Sequence, residues 1–217
     1  MQKKDNRIKF ISKSRAIMAV SGFLLFSVIA YFISSREVLA FDTVIRQEIY
    51  NLRNDTLTIV LKVFTYMGNW QSVTLICCIL LAISRLRFSF GFPAAITAVI
   101  CTLVQDSLKL MFQRVRPDVS LHLIQQGGYS FPSGHSFTNF VFFGMIIFLC
   151  RRKLKNRATS NWITALLGCL IFLIGFSRIY LGVHYPTDVL GGWALGLCLL
   201  MILICAIDFF QKDTRLR

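Results

Sequence analysis

Six stretches of this chain run for 18 to 22 residues without a single Lys, Arg, Asp or Glu: 16–35, 63–84, 88–105, 131–150, 158–177 and 189–207. A helix rises 1.5 Å per residue, so about 20 apolar residues cross a hydrocarbon core of about 30 Å. That core offers a free peptide group no partner, so each stretch must close its own backbone bonds as a helix. The sequence predicts an all-α fold, a six-transmembrane-helix bundle. Residues 1–217 are expected to form one integral-membrane domain, with residues 1–15 a basic tail. Composition agrees: charged residues are 16% of the chain, against about 25% in soluble domains.

Two segments need finer reading. The apolar pattern of the second span begins near Leu57 and takes in Lys62, which can snorkel to the interface. Gly68-Asn69 weakens that span midway and offers a point of breakage. Residues 41–54 place Val44, Ile45, Ile49 and Leu52 among charges at helical spacing. This predicts an amphipathic helix lying on the membrane surface.

The net charge is +14, which raises nucleic-acid binding as a reading. Its distribution argues otherwise. The tail before the first span, the segments between spans two and three and between four and five, and the tail after span six together carry 16 of the 24 basic residues. Alternating spans put all four segments on one side, which the positive-inside rule makes the cytoplasm. Both termini are then cytoplasmic, in a multi-pass plasma-membrane protein, and no nucleic-acid partner is expected. The segment after span one balances Arg36, Arg46 and Arg53 with Glu37, Asp42, Glu48 and Asp55, as suits an outer loop. The N-terminus resembles a signal peptide, but its apolar run is long and lacks a clean cleavage site, so it reads as an uncleaved span. The seven cysteines have no paired C-x-x-C spacing and fall in or beside apolar stretches, which excludes a disulfide framework or zinc cluster and predicts buried structural thiols.

The remaining basic residues, Lys109, Arg114, Arg116 and Arg178, fall at the outer ends of spans three and five, and all three histidines share that side. Ionisable groups at the membrane face are costly and tend to be functional. Lys109 and Arg116 are seven apart, two helical turns, so they are expected on one helix face, and Pro117 ends the helix. Two cations there suit an anion, although a snorkelling pair looks the same. Arg114 is expected to point away from that face, toward headgroups. In Phe131-Pro132-Ser133-Gly134-His135, Ser133 is a candidate N-cap and Gly134 permits close backbone approach. The first-turn N–H groups would then suit a phosphate, with His135 beside it. A capped helix with an interfacial histidine reads equally well. In the third fragment Asp188 follows His184 by four residues, close enough to fix the ring's tautomer, and Pro186 suits the start of span six.

In order, these fragments read K-x6-R-P, P-S-G-H and S-R-x5-H-x3-D over residues 109–188. That set resembles the tripartite signature of the type 2 phosphatidic acid phosphatase family, the membrane lipid phosphate phosphatases. Every position matches: Lys109, Arg116, Pro117, Pro132, Ser133, Gly134, His135, Ser177, Arg178, His184 and Asp188. The resemblance implies a six-span bundle with an extracytoplasmic active site. It implies His184 as nucleophile forming a phosphohistidine, Asp188 as its orienting partner, and His135 as general acid. Lys109, Arg116, Ser133, Gly134 and Arg178 would bind the phosphate. Three cations can replace a metal, and the outer loops lack the clustered carboxylates of a magnesium site, so neither metal nor cofactor is expected. The expected partner is a lipid phosphate in the bilayer. Undecaprenyl pyrophosphate ranks first and phosphatidylglycerol phosphate next, with phosphatidic acid and diacylglycerol pyrophosphate behind. A lipid-linked phosphotransferase on the same residues, or a non-enzymatic lipid-binding or transport protein, remains an alternative.

Outside the motifs, Asp106 is placed to orient Lys109 or to pair with another helix. Residues 118–130, with His122, read more readily as a solvated loop than as a cover for the site. Trp162 reads as an interfacial anchor, and Gly191, Gly192 and Gly196 as helix-packing positions.

Overall fold

The computed structural model describes residues 13–35 and 38–213. Residues 1–12 of the basic tail assigned to 1–15, the pair Arg36 and Glu37, and the chain beyond 213 lie outside that range. The described residues form helices α1 (Lys13–Ser35), α2 (Ala40–Asn51), α3 (Asp55–Met67), α4 (Trp70–Ala82), the single turn α5 (Ser84–Leu86), α6 (Phe92–Phe112), α7 (Gly134–Lys153), α8 (Arg157–Tyr180) and α9 (Pro186–Asp213), with no strand among them. A π-helical turn at Arg87–Gly91 joins α5 to α6. Five helical stretches are long and apolar enough to cross a membrane, and a sixth crossing results if α3 and α4 count as one bent span. The chain is an all-helical, multi-pass membrane protein.

The α3–α4 pair bends by 49° at the weak point Gly68-Asn69. Neither half is long enough to span alone, so the break divides one crossing in two.

Helix α7 is the centre of the bundle. It packs between α6, α8 and α9, and half of its apolar window is buried. Phe137, Val141, Met145 and Leu149 recur every fourth residue, and so form a stripe that meets Leu200, Met201 and Ile204 of α9. Phe142 and Phe143 turn the other way, toward Val73 of α4, Ala94 of α6 and Ile174 of α8. Helix α1 lies along α9 and sends Phe26 onto Phe131, ring centroids 5.5 Å apart. Outward-facing Phe23, Ile96, Leu103, Leu166 and Ile202 are exposed, as a lipid-facing surface requires. At the end of the bundle away from the histidines, Asp208 of α9 pairs with Arg15 of α1 at 2.5 Å and with Arg152 of α7.

Three expectations are corrected. Helix α2 is not simply a surface helix. Its Asp42 is wholly buried and holds α9, accepting from the backbone N–H of Thr187 at 2.9 Å. The cysteines are all free thiols, but Cys78 and Cys169 are exposed rather than buried; an apolar thiol suits a lipid-facing surface as well as a core. Helix α6 runs to Phe112 and stops at Gln113, whose φ of 46° is left-handed. Arg116 therefore lies beyond the helix and shares no helical face with Lys109. Trp162 is exposed at the start of α8, as an anchor would be. A Cβ at Gly191 or Gly192 would strike the Phe131 ring or the Ser133 carbonyl oxygen, consistent with packing glycines.

Candidate active site

The three sequence fragments converge at one end of the bundle. Lys109 comes from the last turn of α6, Arg116 from the loop after it, His135 from the first turn of α7, Arg178 from the last turn of α8, and Asp188 from the first turn of α9. His184 sits in the turn between α8 and α9. That turn needs Gly182, which has φ 82°; a Cβ there would also lie 2.2 Å from the Leu121 carbonyl oxygen. Ser133 caps α7, its Oγ accepting from the N–H of Ser136, and its own N–H donates to the Asp188 carbonyl oxygen at 3.0 Å. The start of α7 is thereby tied to the start of α9.

His184 is 1% exposed, and its hydrogen bonds define its tautomer. Guanidinium groups only donate, so Arg116 Nη1 at 3.0 Å makes His184 Nε2 the acceptor. The ring proton is then on Nδ1, 3.3 Å from Asp188 Oδ2 and 3.3 Å from Ser130 Oγ. Burial, then the cations Arg116, Arg178 and Lys109, hold the ring's pKa well below 6.5. His184 is a neutral imidazole with an unprotonated Nε2, the state a nucleophile needs.

Asp188 is held on every side. Its Oδ2 accepts from the Tyr185 N–H at 2.8 Å and from Ser130 Oγ. Its Oδ1 accepts from Arg114 Nη1 at 2.7 Å, while Arg114 Nη2 reaches Asp42 Oδ2, also at 2.7 Å. Arg114 is thus a buried bridge between two carboxylates, 4% exposed, and not the headgroup contact expected from its position. Burial opposes its charge, but Asp188 and Asp42 outweigh that and raise its pKa. Asp42, Arg114 and Ser130 are site residues that the sequence reading missed.

His184, His135, Lys109 and Arg116 line a cavity of about 540 Å³. The Lys109 ammonium makes no ion pair or hydrogen bond to any described residue, and the Lys109–Asp106 pair, one of the two readings of Asp106, does not form; Asp106 instead accepts from Gln105 Nε2 at 3.4 Å. Arg178 is buried, donates to Thr65 Oγ1 at 2.7 Å and to Gln126 Oε1, and leaves its Nε unpartnered. The loop over residues 118–130 is accordingly no free solvated loop, because Gln126 reaches into the site. Arg116 is engaged as well, donating to the carbonyl oxygens of Gly128, Tyr129 and Val183 at 2.9, 3.0 and 2.6 Å. Burial lowers its pKa to about 10, so it remains a cation. His122 lies outside the cavity, its Nε2 3.1 Å from the Pro117 carbonyl oxygen. The cavity continues as a groove between α4 and α6, past Val73, Ala98, Val99 and Leu103. Ala98 lies three helical turns, about 16 Å, from Lys109.

A neutral, oriented imidazole beside three cations at one end of a membrane bundle suits the binding and transfer of a phosphoryl group. Residues 88–212 match the PAP2 superfamily. The chain is 30% identical over 202 residues to phosphatidylglycerophosphatase B of Bacillus subtilis (strain 168), covering 91% of this chain and 97% of that one. It is 30% identical over 132 residues to an undecaprenyl-diphosphatase of Sulfolobus acidocaldarius, covering 58% of each. The crystal structure of a transmembrane PAP2-type phosphatidylglycerolphosphate phosphatase from Bacillus subtilis superposes with a TM-score of 0.78 at 29% identity, covering 92% of this chain and 98% of that one. The chain belongs to the PAP2 superfamily.

Proposed function

We propose that this protein removes the terminal phosphate of a membrane lipid phosphate, foremost phosphatidylglycerol phosphate, through a phosphohistidine on His184 and without a metal. That it is a phosphatase of lipid phosphates follows from its family and relatives. The observation that carries the mechanism is the unprotonated Nε2 of His184 beside a cavity lined by Lys109 and Arg116, with Arg178 buried behind.

The phosphoryl group enters that cavity and takes over the donors of Lys109, Arg116 and Arg178, displacing the Gln126 contact. Ser133 and the Gly134 N–H add directed donors at the start of α7. Nε2 attacks phosphorus while Asp188 keeps the Nδ1 proton in place and stabilises the positive charge that the ring acquires. His135 protonates the leaving oxygen. In the second half it takes a proton from the water that attacks the phosphohistidine, releasing inorganic phosphate. Three fixed cations stabilise the charge that spreads over the phosphoryl oxygens.

The cavity also bears on the substrate. Beside His135 it is lined by Gln105, Asp106 and Thr138. Asp106 would repel a second phosphate, whereas a glycerol leaving group can donate to it. This favours phosphatidylglycerol phosphate over undecaprenyl pyrophosphate, reversing the order taken from the sequence, and it agrees with the relative that spans nearly the whole chain. The groove between α4 and α6 would hold the tail. The positive-inside rule places the site outside the cytoplasm and both termini within it, and residues 1–217 act as one domain.

The test is phosphate release from a panel of lipid phosphates in detergent, with and without EDTA. Release is expected to survive the chelator unchanged and to be fastest with phosphatidylglycerol phosphate. A rate restored only by added magnesium would exclude the metal-free mechanism, and transfer to a lipid acceptor without free phosphate would favour the phosphotransferase. Ala98→Trp fills the groove. It is expected to lower kcat/KM for a long-chain lipid by at least about tenfold relative to a water-soluble phosphate ester, since each buried methylene is worth about 0.8 kcal/mol. Equal loss on both substrates would place the tail elsewhere.

A further inference from the structure

We propose that Asn69 positions the ring of His135, and that the break in the second span exists to deliver it. The inference rests on the general-acid role proposed for His135 above.

Asn69 stands at the N-cap of α4, with φ −70° and ψ 158°, yet its side chain makes no cap hydrogen bond. Asparagine is favoured at that position because its side-chain oxygen satisfies a free N–H of the first turn. Two other helices of this chain use it so: Asn54 Oδ1 accepts from the Leu57 N–H at 2.9 Å, and Asn156 Oδ1 from the Thr159 N–H at 3.2 Å. Asn69 turns its Oδ1 away to His135 Nε2, at 2.6 Å. A second contact locks the break to α7. Asn139, one turn after His135, donates its Nδ2 to the Gly68 carbonyl oxygen and to the His135 carbonyl oxygen, each at 2.8 Å. A Cβ at Gly68 would lie 2.8 Å from Asn139 Nδ2 and 2.8 Å from Ile174 Cγ2, so only glycine lets the break approach this closely. A straight helix through this region would lack the N-cap position from which Asn69 reaches the ring.

An amide oxygen only accepts, so His135 Nε2 carries a proton and keeps it. Nδ1 is then the nitrogen through which the catalytic proton moves. In the first half, a proton carried in by the substrate as its phosphate monoanion passes to Nδ1 and from there to the leaving oxygen, as the bond of that oxygen to phosphorus breaks and the bond from His184 Nε2 forms. In the second, Nδ1 takes the proton of the attacking water as the phosphohistidine bond breaks. The cations Arg178, Lys109 and Arg116 act on the ring, Asp106 lines the same cavity, and the Asn69 side-chain carbonyl is the acceptor hydrogen-bonded to it.

Asn69→Ser separates this role from a structural one. Serine caps α4 as well as asparagine but is too short to reach the ring. The readout is the first-turnover release of the leaving group by the full-length protein in detergent. One substrate is a dialkyl-glycerol phosphate, whose alkoxide must be protonated to leave; the other is 4-nitrophenyl phosphate, whose phenolate leaves without a proton. Positioning a general acid is worth about 10²–10⁴-fold. Asn69→Ser is expected to slow lipid cleavage by at least about 30-fold and 4-nitrophenyl phosphate cleavage by less than about threefold. Asn69→Asp keeps the acceptor and is expected to stay within about tenfold of wild type on the lipid. Asn69→Ser added to His135→Ala is expected to change nothing further. An equal loss on both substrates, or no loss, overturns the inference. Lipid cleavage that survives His135→Ala instead overturns the general-acid reading, and this inference with it.

Discussion

His184→Ala is expected to abolish lipid phosphate hydrolysis, with a loss of roughly 10⁴–10⁶ in kcat, as removal of a covalent nucleophile costs in other hydrolases. That loss corresponds to about 5–8 kcal/mol of transition-state stabilisation. The size follows from the geometry. Nε2 of His184 is the unprotonated nitrogen beside the three cations, and no other imidazole shares its position; His135 keeps its Nε2 proton in the hydrogen bond it donates to Asn69. The remaining cations would still bind the lipid, so KM should change little while kcat collapses. Asp188→Asn is expected to cost less, about 10²–10⁴-fold, by allowing the wrong tautomer. Phosphate release from micellar substrate measures both. Acid quenching is unsuitable for the intermediate, because a phosphoramidate P–N bond is acid-labile. Alkaline quenching of the labelled wild type is therefore expected to trap phosphate on the protein and His184→Ala to trap none. Label on the variant, or turnover within tenfold of wild type, would move the nucleophile elsewhere.

Legibility in the sequence followed the range of the interactions. Each charge-free stretch settles its own backbone, because hydrocarbon leaves it no other partner. His184 and Asp188 were legible for the same reason: they sit four residues apart, and Pro186 begins α9 between them. Most of the failures are long-range. Arg114 and a headgroup arginine look identical in one dimension, and the difference lies in Asp42, 72 residues away in a helix whose other residues read as amphipathic. The seven-residue spacing sets Arg116 on the helix of Lys109, because glutamine gives no sign that Gln113 will adopt a left-handed conformation. Gln126 looked like one polar residue among several in a loop. The weakness of Gly68-Asn69 was visible; the contact of Asn69 with a histidine 66 residues further on was not.

Arg114 therefore carries the second large effect, and two substitutions divide it into stability and catalysis. Arg114→Ala leaves Asp42 and Asp188 buried without their cation, both being wholly buried. Breaking such a bridge from one side costs about 3–5 kcal/mol. Melting in detergent is expected to fall on the order of 10 °C, and activity should fall too, because Asp188 loses the group that fixes its Oδ1. Arg114→Lys keeps the charge but not the fork. One ammonium cannot match two guanidinium nitrogens that reach Asp188 at 2.7 Å, Asp42 at 2.7 Å and Thr187 Oγ1 at 2.8 Å. It is expected to recover most of the melting temperature while kcat stays about 10–100-fold below wild type, the scale expected when a partner one step removed from the reacting atoms is lost. Adding Asp42→Asn to Arg114→Ala removes one uncompensated carboxylate and should restore part of the stability with none of the activity, since the Oδ1 of Asp188 still lacks its donor. If Arg114→Ala melts like wild type, the bridge carries no net stabilisation. If Arg114→Lys turns over at the wild-type rate, the orientation of Asp188 comes from Ser130 and the Tyr185 N–H alone, and the link from α2 through Arg114 to the nucleophile is structural.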